Sequence, residues 1–174
     1  MRNMIIVKKS KIEGSGVFAK KDIKKGKRII EYVGKKITKE KADEKYELEA
    51  KKAERKGQRV KTYFFSLNKR YDLDGNVKHN PAKYINHSCE PNCETLNEDG
   101  RIWIIAIKNI KRGKELTYDY GYPLENFEEH PCYCGSKSCF GHIVKKSKRK
   151  RLKTLLRKKK SGTKKSYSRS VRRS

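Results

Sequence analysis

Asn86-His87-Ser88-Cys89-Glu90-Pro91-Asn92-Cys93 places an amide, an imidazole and two thiols within eight residues. Pro91 fixes the backbone as the run ends. Such a cluster is costly to bury unless every polar group finds a partner, so a ligand, a metal or a second polar strand is expected against it. Two later stretches offer themselves: Cys132-Tyr133-Cys134 with Cys139, and the tyrosine-rich run Glu115-Leu116-Thr117-Tyr118-Asp119-Tyr120-Gly121-Tyr122.

At 174 residues the chain suits one domain of ordinary size with an appendage. Its formal charge of +27 is unevenly placed: residues 145–174 hold sixteen Lys or Arg and no acid, leaving 31 basic against 20 acidic residues, or +11, for the rest. A field of this sign favours polyanions, above all nucleic acid or an anionic membrane surface, and makes their binding salt-dependent. A charge run is also what a solvated, disordered tail looks like. No apolar run reaches the roughly 18 residues of a membrane span, and the N-terminus, Met1 to Val7, has an apolar patch too short for a signal-peptide core and is followed at once by lysines. The expectation is a soluble, unsecreted protein, in which five cysteines clustered late argue for metal rather than a disulfide framework.

Along the chain, Met4 to Val7 reads as a strand, and Ile12 to Phe18 as a glycine turn entering a second. Ile29 to Val33 is a third. Ala19-Lys20-Lys21-Asp22-Ile23-Lys24-Lys25-Gly26-Lys27 is echoed by Ala106-Ile107-Lys108-Asn109-Ile110-Lys111-Arg112-Gly113-Lys114, two similar turns in a β-rich domain rather than a solenoid. Thr38 to Gly57 is the one good helix: Ala42, Tyr46, Ala50 and Ala53 form a narrow apolar stripe, with Thr38 as cap and Gly57 as stop. With so little to bury, it suits a surface insert. Thr62 to Leu67 and Tyr71 to Leu73 suggest a hairpin, and Ile102 to Ile107 a central strand. Beyond Val144 the expectation is disorder, Leu152, Leu155 and Leu156 forming an amphipathic turn only on contact with a partner.

Cys132-x-Cys134-x4-Cys139 supplies three thiolates where tetrahedral zinc needs four ligands. Cys89, Cys93, His87, His130 and His142 are candidates for the fourth. Iron–sulfur fits less well, since its usual cysteine spacings are missing.

Taken in order, Gly14-Ser15-Gly16-Val17-Phe18-Ala19, Glu31-Tyr32-Val33-Gly34, the Asn86–Cys93 run, Glu115 to Tyr120 and the cysteine trio resemble a SET-domain protein-lysine methyltransferase with a post-SET zinc segment. The closing run is most similar to the trithorax-like branch. The resemblance implies a mainly β fold of the β-clip or SET type, with small curved sheets around a pseudoknot that threads the chain near Asn86 under Tyr118–Tyr120. It implies one inserted helix, a SET domain over 4–122, a zinc segment over 128–144 and a basic disordered tail over 145–174. Cys89 then completes the zinc ligands with Cys132, Cys134 and Cys139, Cys93 becomes a core thiol, and His130 and His142 are bystanders.

The implied reaction moves a methyl group from S-adenosyl-L-methionine to a lysine amine of a histone or histone-like protein. By the same resemblance Tyr120 is the catalytic tyrosine, Tyr118 limits room for the product amine and favours mono- or dimethylation, and Tyr32 lines the lysine channel. Glu13, Gly14, Ser15, Gly16, Tyr63, Asn86, His87 and Tyr133 hold the cofactor. Read from the residues alone, Tyr63 with Phe64 and Phe65 suits core packing equally well. Lys83-Tyr84 stands where the family commonly has Arg-Phe, and Lys35 replaces a frequent acid; neither removes a reacting group. DNA or nucleosome contact through 145–174 is a further expectation, with action in the nucleus at the chromosome if the protein is eukaryotic or delivered to a host, and otherwise in the cytoplasm at the nucleoid. A ribosomal or other non-histone target, and a non-catalytic nucleic-acid module, are the competing readings.

Overall fold

The computed structural model describes residues 4–170, with side chains as far as 159. They divide into two compact units: residues up to Asn86 with Asn92–Thr117, and His87–Pro91 with the chain from Tyr118 onward.

The first unit is built of short antiparallel strands. β1 (Ile5–Lys9) pairs with β2 (Ser15–Ala19) across the glycine turn. β9 (Arg101–Ala106) lies between β3 (Arg28–Tyr32) and β8 (Cys93–Glu98), the central place its apolar run requires. β6 (Tyr71–Asp74) lies between β4 (Lys35–Thr38) and β5 (Phe64–Ser66). Val17, Ile29, Ile85, Ile102, Ile104 and Leu116 are fully buried and form the core of this unit. Between β4 and β5 stands α1 (Lys39–Arg55), capped by Thr38 and followed by Gly57 as its sequence indicates. It buries Ala42 and Ala53 but leaves Tyr46 exposed, a helix on the surface.

The echoed turns prove to be partners. Ile23 and Ile110 exchange both backbone hydrogen bonds at 2.8 Å, and each is buried. Gly26 N–H donates to Ala106 O at 2.7 Å, and Gly113 N–H to Ala19 O at 2.8 Å. The Asp22 carboxylate accepts Arg112 N–H at 2.8 Å, and in the equivalent place the Asn109 side chain accepts Lys25 N–H at 2.9 Å. The turns are therefore related by a pseudo-two-fold axis. Gly26 and Gly113 occupy matching left-handed positions, φ +80° and +82°, which other residues reach only with strain.

Two further strands, β7 (Asn86–His87) and β10 (Thr117–Tyr118), have two residues each. Within the first unit Asn92 N–H donates to Thr117 O, and the Asn92 amide bridges Glu115 O at 2.7 Å and Thr117 N–H at 2.9 Å. Within the second, Ser88 N–H donates to Tyr118 O.

The second unit has little regular structure before α2 (Arg149–Ser170). Here the expectation of disorder is corrected. Leu152 is fully buried with Leu124, Phe127 and Val144, and Phe140, Leu155 and Leu156 close around them. The apolar face of the helix finds its partner within the chain, which offsets the entropy of ordering that a free basic segment could not recover. The final residues of the basic tail lie outside the described residues. Among the described residues no helix is long and apolar enough to cross a membrane.

Candidate functional site

In the first unit the Asn86 side chain holds the glycine turn from within. Its amide donates to Glu13 O at 3.2 Å, to Ser15 O at 3.1 Å and to the Glu115 carboxylate at 2.9 Å. Ser10 Oγ donates to the same carboxylate at 2.8 Å. Gly16 is required by close approach: a Cβ there would occupy the Glu115 carboxylate. Glu13, Gly14, Ser15, Gly16 and Asn86, expected together, are together.

Tyr32 is buried, and its hydroxyl donates to Tyr63 O at 2.7 Å, joining β3 to the segment before β5. The Tyr63 ring meets Tyr84 edge-on at 6.4 Å, with Lys83 Nζ 5.3 Å from its centroid. Burial, then Tyr84 and Glu13, push the Tyr63 hydroxyl above its ordinary pKa, so it remains a neutral donor. Cys93 belongs to this unit: its thiol faces the Asn92 side chain at 3.4 Å, and burial pushes it up to about 12, as befits a core thiol.

In the second unit His87 is 3% exposed, and its Nδ1 accepts Tyr120 N–H at 3.2 Å. That bond assigns the neutral tautomer with the proton on Nε2, which lies 3.7 Å from Cys89 Sγ. Burial lowers the imidazole to about 4; the Arg149 charge works in the same direction and Asp119 opposes it. His87 packs edge-on to Tyr120 at 5.4 Å, and the rings of Tyr118 and Tyr122 lie 5.0 and 5.6 Å from that of Tyr120. The motif thus yields a packed aromatic row with a fixed neutral imidazole at its side.

The sulfur atoms of Cys89, Cys132, Cys134 and Cys139 lie within 4.8 Å of one another. Thiolates about 2.3 Å from a tetrahedral zinc would stand about 3.8 Å apart, and Cys89 and Cys132 are 3.9 Å apart. The donor set and its span therefore suit zinc, and Cys89 is the fourth thiol. Burial raises Cys132 and takes Cys89 to about 11. Burial also acts to raise Cys134, but Cys89 N–H and the Ser136 hydroxyl and amide outweigh it and bring the thiol to about 6. A cation would draw the remaining protons off, so binding at this cage releases protons. Glu90 secures the cage by accepting Ser138 N–H at 3.1 Å, and Tyr133 between two of the cysteines is exposed. His130 meets Tyr122 edge-on at 4.6 Å and His142 meets Phe127 edge-on at 4.8 Å, both outside the cage.

Sequence reading missed four members. Glu115 and Asn92 stood in quoted motifs without a role, as did Asp119. The fourth, Arg149, looked like one more tail cation, yet it is 5% exposed. Its guanidinium donates to Val144 O at 2.9 Å, Cys89 O at 2.7 Å and Asp119 at 2.9 Å. Asp119 also accepts Lys146 N–H at 2.9 Å and Gly121 N–H at 3.0 Å. Arg149 thus joins the start of α2 both to a cage cysteine and to the residue between Tyr118 and Tyr120.

Residues 14–121 match the family model described as SET domain. Three curated relatives are similar. The human protein named histone-lysine N-methyltransferase 2D is 35% identical over 144 residues, 79% of this chain and 2% of its own. The Drosophila melanogaster protein named histone-lysine N-methyltransferase trr is 40% identical over 144 residues, 79% of this chain and 6% of its own. The Caenorhabditis elegans protein named histone-lysine N-methyltransferase set-2 is 36% identical over 146 residues, 82% of this chain and 9% of its own. This chain spans less than a tenth of the length of each of the three. The matched span begins at the turn that Asn86 pins and ends one residue past Tyr120, and it covers more than half of the sequence: the chain belongs to the SET-domain family.

Proposed function

We propose that the protein is an S-adenosyl-L-methionine-dependent protein-lysine N-methyltransferase acting on histone or histone-like basic proteins. The observation that supports this most is the local order around Tyr120, whose amide is held by a neutral His87 and whose ring is flanked by Tyr118 and Tyr122. The names of the similar proteins supply the reaction class and the substrate class. The reading includes a SET domain over 4–122, a zinc-binding segment over 128–144 and a basic region over 145–174, with action at the chromosome.

S-adenosylmethionine, when bound, supplies an electrophilic methyl on a positive sulfonium. The target lysine must first lose a proton, since only the neutral amine attacks; aromatic surroundings that disfavour its charged form promote this. Bound cofactor would pass its methyl to that neutral amine, so the protein need supply no strong base. Tyr120 presents its hydroxyl to the transferring methyl, Tyr32 lines the lysine channel, and Tyr118 restricts the product amine to one or two methyl groups. Alignment and oxygen contacts to the developing positive charge supply the rate enhancement. Glu13, Gly14, Ser15, Gly16, Tyr63, Asn86, His87 and Tyr133 bind the cofactor. Cys89, Cys132, Cys134 and Cys139 hold a structural zinc.

The test is transfer of labelled methyl from S-adenosylmethionine to core histones, a bacterial histone-like protein and a ribosomal protein fraction, with wild type beside Tyr120→Phe. The expected result is label on a histone or histone-like substrate that falls at least a hundredfold with Tyr120→Phe. Label on the ribosomal fraction alone would overturn the substrate class. No transfer by zinc-loaded protein that binds cofactor would overturn the enzyme.

A further inference from the structure

The paired turns 19–27 and 106–114 take no part in the proposed chemistry, yet they form the most repetitive charged surface of the first unit. Five lysines between Lys20 and Lys27 and four cations between Lys108 and Lys114 are all exposed. One acid stands among them, Asp22, and Lys111 pairs with it at 2.8 Å. The pairing of the turns needs Ile23, Ile110, the two glycines and the Asp22 and Asn109 acceptors. Of the nine cationic side chains only Lys111 takes part, through its bridge to Asp22 across the turns; the pairing makes no use of the other eight. Gathering like charges on two bridged turns opposes folding by self-repulsion, which a bound polyanion would relieve.

We propose that this pseudo-two-fold surface binds the phosphate backbones of duplex DNA, independently of sequence. Three observations direct the choice of partner. Four cations of each copy fall at matching positions, Lys21 with Lys108, Lys24 with Lys111, Lys25 with Arg112 and Lys27 with Lys114, and a duplex offers two equivalent phosphate strands related by two-fold axes across its grooves. Neither copy contains an aromatic residue, so neither has the stacking platform with which proteins hold single strands. The one amide in the two copies, Asn109, has its oxygen engaged by Lys25 N–H, which removes the bidentate pairing by which Asn reads adenine. The preference for DNA over duplex RNA rests on the proposed chromosomal substrate. Binding at the turns would bring the enzyme to the polymer on which its basic substrate sits, in addition to any contact made by the tail.

Fluorescence anisotropy of a labelled 30-base-pair DNA, titrated across a salt series without cofactor or protein substrate, tests this independently of methyl transfer. The variant Lys24→Gln, Lys25→Gln, Lys111→Gln, Arg112→Gln is compared with a control that removes four cations from α2: Lys150→Gln, Arg151→Gln, Lys153→Gln, Arg157→Gln. Neutralising four phosphate contacts reduces the slope of log affinity against log salt by about 3 to 4. The turn variant is expected to show that reduction with at least a tenfold loss of affinity at 0.1 M salt, and the helix variant a smaller loss. The half-variants Lys24→Gln, Lys25→Gln and Lys111→Gln, Arg112→Gln should each remove about half of the slope change. They decide the matter if the fourfold variant loses its folded Trp103 fluorescence. Unchanged binding by the turn variant, or equal loss from the helix variant, would overturn the proposal. So would single-stranded DNA or duplex RNA bound as tightly as duplex DNA.

Discussion

The two units are held together by different physics. In the first, strands of three to six residues bury isoleucine, valine and leucine against each other, and polar side chains such as Asn86 and Asn92 brace turns around a core that already exists. In the second, three hydrogen bonds from one buried arginine, four thiols and a small cluster under α2 take the place of sheets. A unit with so few buried apolar groups is too small to be stable on hydrophobic burial alone, and metal or other cross-links make up the difference. Stability should therefore fail in the second unit first and for different reasons.

The largest effect is expected from Cys132→Ser, which removes one of the four metal ligands. Metal content should fall from about one per chain to near zero, and backbone amides after Tyr118 should lose their protection from hydrogen exchange. Trp103, the single tryptophan, lies in β9 and reports the first unit alone, so its fluorescence should be unchanged. Next is Leu152→Ala, which opens a cavity among Leu124, Phe127 and Val144. A loss of about 2–4 kcal/mol, read from the amides of α2, is expected there. Arg149→Met keeps much of the volume but leaves Asp119 and two carbonyls short of a donor; about 2 kcal/mol is expected from hydrogen bonds to a charged group, measured at the same amides. If Leu152→Ala or Arg149→Met shifted Trp103 unfolding as much as it shifted α2, the contrast between the units would be lost. The smallest effect is Thr38→Ala in the first unit. The cap bond is long at 3.4 Å, so about 0.5–1 kcal/mol should be lost, visible only in α1 exchange.

The same contrast explains what the sequence disclosed. Strand and helix positions in the first unit came from period and capping: Thr38, Gly57 and the Ile102–Ile107 run mark their elements because local chemistry dictates them. The pairing of the echoed turns did not, since Ile23 and Ile110 meet through a long-range bridge that no local pattern records. In the second unit the cysteine spacing disclosed the cage, and the motif placed Cys89 with it. The helix was missed because Leu152 depends on Leu124 and Phe127, far upstream in a stretch without periodicity. Arg149 was missed because a buried cation inside a basic run has the same composition as a solvated one. Asp119, its partner, was in plain view between two tyrosines.

The most direct test of this account is hydrogen exchange on the wild-type protein before chelation, after chelation and after zinc is restored, with methyl transfer to core histones measured on the same samples. Stripping the metal should expose the amides of His87–Pro91 and of residues 118–159, leave the β3, β8 and β9 amides protected and abolish transfer, and zinc should reverse all three. A metal-free protein that keeps its second unit protected and its transfer rate intact would contradict it.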